Sequence, residues 1–259
     1  MPKFSANLGF LWPDRPLLDR VRAAAAAGFG AVELHWPFDT PAAELRATCA
    51  GLGLELLGIN TPPGNSGKGE FGLAALPGRQ ADFVEAFRMT ADYARDAGAG
   101  YVHIMVGNAR DRELAHQTLL ANLDFASAHA PDLTLMLEAI NAHDAPGYFY
   151  DRQHEVQEIV EAHPAPNLRM MFDCYHVGRM GEDVVETLER CMPLIGHVQI
   201  ASVPDRAEPD HGSVDYRTVF AALDQLGYGG WVGCEYRPSG DTEAGLRWME
   251  KLGVRPGGA

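Results

Sequence analysis

Positive charge is scarce in this chain: 21 Lys and Arg stand against 35 Asp and Glu, for a formal net charge of -14. With no basic surplus and no basic stripe, nothing in it suits a phosphate backbone, which argues against nucleic acid as a partner. Cysteine is equally sparse. Cys49, Cys174, Cys191 and Cys234 are widely spaced and form no C-x-x-C pair, so zinc knuckles and redox dithiols are disfavoured and core thiols are expected. Long hydrophobic runs are missing too. The opening MPKFSANLGFLWPDRP carries one Lys, and its apolar stretch is interrupted by Asn7 and ended by Pro13. That is too short for a signal peptide or a membrane span, which makes the cytoplasm the expected compartment and a membrane an unexpected partner. No low-complexity tract, run of like charge or interdomain linker divides the sequence.

What is present is an alternation. Short β-branched or apolar runs exchange with longer amphipathic or Ala-rich stretches, the pattern of βαβ units on a parallel sheet. Eight such pairs can be read. The strands are expected at 4–11, 31–36, 54–60, 101–106, 133–140, 168–174, 197–202 and 231–236, each followed by a helix. Helices ending at Gly28, Gly53, Gly98 and Gly227 carry the residue best suited to a left-handed cap. With 259 residues and 46% hydrophobic content, the simplest architecture is one α/β domain over residues 1–254, a single (β/α)8 barrel, with 255–259 as a frayed tail. The Gly-rich PPGNSGKGEFG at 62–72 follows the third strand and has the length of a mobile loop or an active-site lid.

Four runs share one grammar: LTLMLEAIN ends on Glu138, LRMMFDCYH on Asp173, GHVQIASV on Gln199, and GWVGCEYRPSG on Glu235. Taken singly, an acidic strand-end residue reads as a solvated loop residue or a helix cap. Taken together, four oxygen-bearing side chains at successive strand ends converge on a barrel mouth, where such barrels hold their chemistry. Three carboxylates and one amide oxygen suit a hard divalent cation, Mg²⁺ or Mn²⁺, and leave positions for a chelating ligand. His197 shares the strand face of Gln199 and is open to three roles: fifth ligand, substrate donor, or partner of a ligand. His176 stands just past the Asp173 strand end, within reach of a substrate oxygen or a ligand carboxylate.

The segments MPKFSANLGFLW, AALPGR, LEAIN, APGYFYDR, NLRMMFDCYH, IGHVQIASVPDRAEP and GYGGWVGCEYRPSGDTEAGL resemble the hydroxypyruvate isomerase family. That family lies within the xylose-isomerase-like TIM barrels, which also include 2-oxo-tetronate isomerases and ketose 3-epimerases. The resemblance implies one divalent metal held by Glu138, Asp173, Gln199 and Glu235, with Glu138 and Glu235 doubling as acid and base. It implies isomerisation of a small hydroxy-oxo acid, hydroxypyruvate to tartronate semialdehyde or a 2-oxo-tetronate, through an enediolate. It is also compatible with a homo-oligomer. Two departures stand out: Ala139 where the family commonly has Pro, and Ser213 where it commonly has Glu.

A 2-oxo acid substrate calls for a cation at the mouth. Arg206 and Arg237, after the seventh and eighth strands, are the candidates, with Lys68 on the expected lid behind them. Glu208 and His211 flank Arg206 as competing partners, and Phe10, Trp12 and Trp36 are candidates for an apolar wall or plain core. Three rival readings remain: a ketose 3-epimerase acting on a neutral sugar, an endonuclease-IV-like enzyme, and a non-catalytic binding barrel.

Overall fold

The computed structural model describes residues 1–257. Its strands are β1 Lys3–Asn7, β2 Ala31–Glu33, β3 Glu55–Leu56, β4 Gly58–Asn60, β5 Tyr101–His103, β6 Thr134–Glu138, β7 Leu168–Asp173, β8 Ile195–Ile200 and β9 Trp231–Cys234. They form one sheet in the order β3-β2-β1-β9-β8-β7-β6-β5-β4. Every pairing is parallel, and β1 joins β9 directly. Only Leu57 separates β3 from β4; its N–H bonds Val32 on one side and its carbonyl accepts from Tyr101 on the other. The two pieces are therefore one stave, and the sheet is an eight-stave, nearly closed barrel of the expected α/β class.

Most staves are shorter than the apolar runs that encode them, because the chain leaves the sheet to build the mouth. At the end of β1, the Asn7 side chain accepts the Gly9 N–H at 2.9 Å, a local turn that competes with the ladder. The helices wrap the outside: α1 Leu17–Ala26, α2 Ala42–Gly51, α3 Gln80–Ala97, α4 Arg112–His129, α5 Gln153–Ala162, α6 Cys174–Arg179, α7 Val184–Cys191, α8 Tyr216–Gln225, α9 Thr242–Gly245 and α10 Trp248–Leu252. In α3, Phe83, Phe87, Ala91, Ala94 and Ala97 recur at helical spacing and are buried against the sheet. Gly98 ends it at φ 82, where its N–H caps the Ala94 and Arg95 carbonyls. Asp111, Asp183 and Asp215 cap the starts of α4, α7 and α8 through their side chains.

A small apolar cluster of Ala31, Leu57, Tyr101, Met136 and Met171 runs over five consecutive staves, and the Tyr101 ring within it reaches across the barrel interior to His197, 5.3 Å between ring centroids. The four cysteines are free and buried, as expected of core thiols. Part of the expected tail is held by the barrel: Val254 before it is buried and the Pro256 carbonyl accepts the Phe4 N–H at 2.9 Å, while 258–259 lie outside the described residues. Among the described residues, no helix is long and apolar enough to cross a membrane.

Candidate active site

The alternation that places every second side chain inside the barrel brings the strand-end residues together. Asp173 and Gln199 are register partners on β7 and β8, and Glu138 ends β6. Glu235 lies two residues beyond Gly233, the β9 partner of Gln199. All four are buried. A cavity of about 380 Å³ opens above them, lined by Glu138, His176, Arg206, Glu235 and Arg237 among others.

One oxygen of each pairing has a local duty. Asp173 Oδ1 accepts the Tyr175 N–H at 2.9 Å, capping α6, while Oδ2 lies 3.5 Å from both His176 Nε2 and the Arg206 guanidinium. Glu138 Oε1 is 3.6 Å from His176 Nε2, and ligand atoms of Glu138, Asp173 and His176 all lie within 4.8 Å of one another. Glu235 Oε2 takes Arg206 at 2.7 Å, and its Oε1 meets Asn7 Nδ2 at 3.1 Å and His35 Nε2 at 3.0 Å. Gln199 donates its amide N–H to Glu33 at 3.2 Å. Glu138 Oε1 and Gln199 Oε1 are left buried without a hydrogen-bond partner.

Such orphaned buried oxygens are costly unless something else satisfies them. The charge count points the same way. Burial, then the charges of Glu235 and Asp173, push the Glu138 carboxyl well above its ordinary range. Burial lifts Asp173 to about 8 against the opposing pull of Arg206. Glu235 is also penalised by burial, but the Arg206 and His35 contacts outweigh it and hold this carboxyl below its usual value. One part-buried guanidinium thus neutralises part of a site that has three carboxylates. A divalent cation is the chemistry the remaining oxygens fit: hard donors, partly unsatisfied, with a charge deficit.

His176 contributes differently. Its Nδ1 accepts from the Asn141 backbone N–H at 3.1 Å and the Asn141 side-chain amide at 2.6 Å. That amide is oriented by its own oxygen, which accepts the His143 and Asp144 N–H groups. Nε2 is then the protonated nitrogen, a donor facing Glu138 and Asp173 rather than a lone pair for a metal. Burial, with Arg206 next, lowers the ring to about 3, so it stays neutral.

Arg206 holds its backbone at φ 56, a conformation rarely adopted by a non-glycine residue. Its guanidinium lies between the Phe10 ring, at 5.0 Å, and the Tyr175 ring, at 4.9 Å. Its Nε is buried without a partner. Arg237 is exposed and lines the same cavity over Phe10 at 5.6 Å. Neither competitor reaches Arg206: Glu208 binds Ser239, and His211 binds Asp205 and Asp210. Phe10 and Trp36 line the cavity, whereas Trp12 is core.

The lid segment contributes Phe71 to the lining, but Lys68 is exposed in a short 3-10 turn outside it. His197 lies one layer down, bonded to Glu33 rather than to the carboxylates at the mouth. Ser213 is exposed and away from the cavity, and Ala139 is core.

Several polar residues of the site escaped the sequence reading: Asn7, Glu33, His35, His103, Asn141 and Asp144. Glu33 closes the short apolar run of AVE just as Glu138 closes its own, so the same strand-end signal was available on β2. His103, 3.5 Å from Glu138 Oε2, sits inside an apolar run and drew no reading.

Comparison with known proteins agrees with this architecture. The family model described as xylose isomerase-like TIM barrel matches residues 21–252. A 2-oxo-tetronate isomerase of Cupriavidus necator is 46% identical, covering 96% of this chain and 98% of that protein. The hydroxypyruvate isomerase of Escherichia coli is 36% identical over 96% of this chain and 99% of its own. The crystal structure of an AP endonuclease, family 2, from Brucella melitensis superimposes with a TM-score of 0.93 at 38% identity, covering 97% of this chain and 99% of that one. The relatives place the chain among enzymes of the isomerase class. With its fold, its mouth and its matches in accord, the chain belongs to the xylose isomerase-like TIM barrel family.

Proposed function

We propose that this protein is a metal-dependent isomerase of a small hydroxy-oxo acid, with hydroxypyruvate or a 2-oxo-tetronate as substrate. The observation that carries the reading is the set of buried, partly unsatisfied oxygens of Glu138, Asp173, Gln199 and Glu235 beneath a cavity that also holds two arginines. These residues would hold one Mg²⁺ or Mn²⁺, and the bound cation would polarise the substrate carbonyl and hydroxyl as a Lewis acid.

The chain's own groups supply the rest. Interconverting an α-hydroxy ketone and an α-hydroxy aldehyde moves one carbon-bound proton to the neighbouring carbon and one hydroxyl proton to the neighbouring oxygen. Glu138 and Glu235 both line the cavity, and one accepts the proton from carbon while the other returns a proton to the adjacent carbon. Their environments hold the two carboxyls on opposite sides of the ordinary range, as acid–base pairs require. His176 Nε2–H donates to a substrate oxygen. Arg237, exposed at the rim, and the free Nε of Arg206 bind the substrate carboxylate. The loop at 62–72, through Phe71, covers the site and excludes water.

A cavity of about 380 Å³ suits a three- or four-carbon acid. A nuclease reading, raised by the likeness to the Brucella melitensis structure, is disfavoured by the net charge of -14. The test is a panel of 2-oxo acids and neutral ketoses followed by NMR with Mg²⁺ present. Turnover of a 2-oxo acid in preference to the ketoses is expected. Epimerisation of a neutral ketose with no 2-oxo acid converted would replace this reading with that of a ketose 3-epimerase.

A further inference from the structure

Below the mouth, Glu33 is 2% exposed and takes four donors. Asn7 Nδ2 at 3.1 Å and Gln199 Nε2 at 3.2 Å reach Oε1, while the Tyr101 hydroxyl at 2.9 Å and His197 Nε2 reach Oε2. Room has been made for this group. A Cβ at Gly233 would lie 2.4 Å from Glu33 Oε1 and 2.9 Å from His197 Nε2, and one at Gly58 would lie 2.0 Å from the Tyr101 ring. Glycine weakens a strand interior. Two strand glycines that clear space for one carboxylate and two of its donors mark an assembly built into the barrel.

We propose that Glu33 is a positioning residue for the metal centre, acting through Gln199 and, by way of Asn7, through Glu235. A carboxylate offers acceptors only, so the Gln199 group facing it must be the NH₂. The carbonyl Oε1 is thereby left on the other side of the amide as the atom free for a cation, and it is buried without a partner. An untethered amide is nearly symmetric in shape and, before a cation arrives, rests in either orientation, so the bond to Glu33 spares the cation the cost of turning it. Asn7 extends the control: its Oδ1 is held by the Gly9 N–H, and its Nδ2 bridges Glu33 and Glu235 at 3.1 Å each. This inference rests on the divalent-metal reading of the site.

The experiment measures Mn²⁺ dissociation constants by EPR for the parent protein, Glu33→Met, Gln199→Met and the double variant. Thermal midpoints of the metal-free proteins are recorded alongside. Glu33→Met should weaken Mn²⁺ binding about 10- to 100-fold, the usual cost of losing a partner that orients a ligand. The double variant should lose less than the product of the two single losses, since without the Gln199 amide Glu33 can act only by way of Asn7 and Glu235. Unchanged affinity in Glu33→Met overturns the inference, as do single losses that multiply in the double variant. A parent protein that binds no Mn²⁺ overturns the metal reading and the inference together, whereas parental binding with an indifferent Glu33→Met overturns the inference alone. If the stranded donors keep Glu33→Met from folding, the exchange of Glu33→Gln with Gln199→Glu carries the test. It restores a donor–acceptor pair and leaves one oxygen of the relocated carboxylate free, so a folded exchange variant should bind Mn²⁺ within about tenfold of the parent. A folded exchange variant that binds none refutes the positioning role.

Discussion

Loading the metal should expel protons, in a number the site fixes in advance. In the metal-free protein Asp173 ionises at about 8 because burial outweighs the pull of Arg206, and Glu138 is held well above the ordinary carboxylate range. A group with that pKa is about nine-tenths protonated at pH 7. Ligand carboxylates must be ionised, so binding Mn²⁺ at pH 7 should release between about one and two protons, nearly one from Asp173 and the rest from Glu138. The logarithm of the association constant should then climb by about one to two per pH unit below neutrality and flatten only once both Asp173 and Glu138 have lost their protons. Calorimetry in buffers of different ionisation enthalpy reads the proton count directly. Mn²⁺ binding without proton release at pH 7 would show that the carboxylates are already ionised and that no charge deficit holds them protonated. The same linkage sets the stability of the metal-free protein. Asp173 and Glu138 bind more protons folded than unfolded, so their contribution falls as pH rises from about 4 toward 8. Glu235 and Glu33, whose carboxyls are depressed in the fold, contribute stability that is present above the usual carboxylate range and lost as pH falls.

Three other outcomes follow from the site. Glu138→Gln and Glu235→Gln should each retain most Mn²⁺ binding yet lose about 10² to 10⁴ in kcat, and the double variant should cost little more than the worse single one; full activity in either single variant rejects the two-carboxylate scheme. Arg237→Ala should raise KM for a 2-oxo acid by about tenfold or more while leaving that for any neutral ketose unchanged, the loss of one charge-assisted contact; equal effects on both substrates count against carboxylate binding. Removing metal with EDTA should abolish turnover and lower the thermal midpoint, because a cation at a thousand times its Kd stabilises the fold by about 4 kcal/mol; an unchanged midpoint after verified removal contradicts the site.

The convergence of Glu138, Asp173, Gln199 and Glu235 was legible because each ends an apolar run, and a parallel barrel turns strand ends into one mouth. The layer beneath was harder to read. Glu33, Tyr101 and His197 meet only when β1 closes on β9 and brings β2 across from β8, a contact between residues 164 positions apart for Glu33 and His197. A histidine inside YVHIMV or GHVQIA carries no sign of its partner, so His103 drew no reading and His197 kept three roles open. Arg206 was found as a cation of the mouth, but its ion pairs with Glu235 and Asp173 depend on a left-handed backbone turn after β8 that local sequence does not announce. The same holds for Lys68, whose loop closes on itself through Asn65 and Glu70 and points the cation outward.

The central claim is that the carboxylates at the mouth, with a divalent cation, move a proton between adjacent carbons of a 2-oxo acid. Metal-stripped protein incubated with hydroxypyruvate or a 2-oxo-tetronate in D₂O, and followed by NMR before and after Mg²⁺ is added, tests it in one sample. The account predicts no conversion at first, then product bearing solvent deuterium at the newly protonated carbon. Conversion at the same rate without metal, or none of either acid after Mg²⁺ is restored, would contradict it.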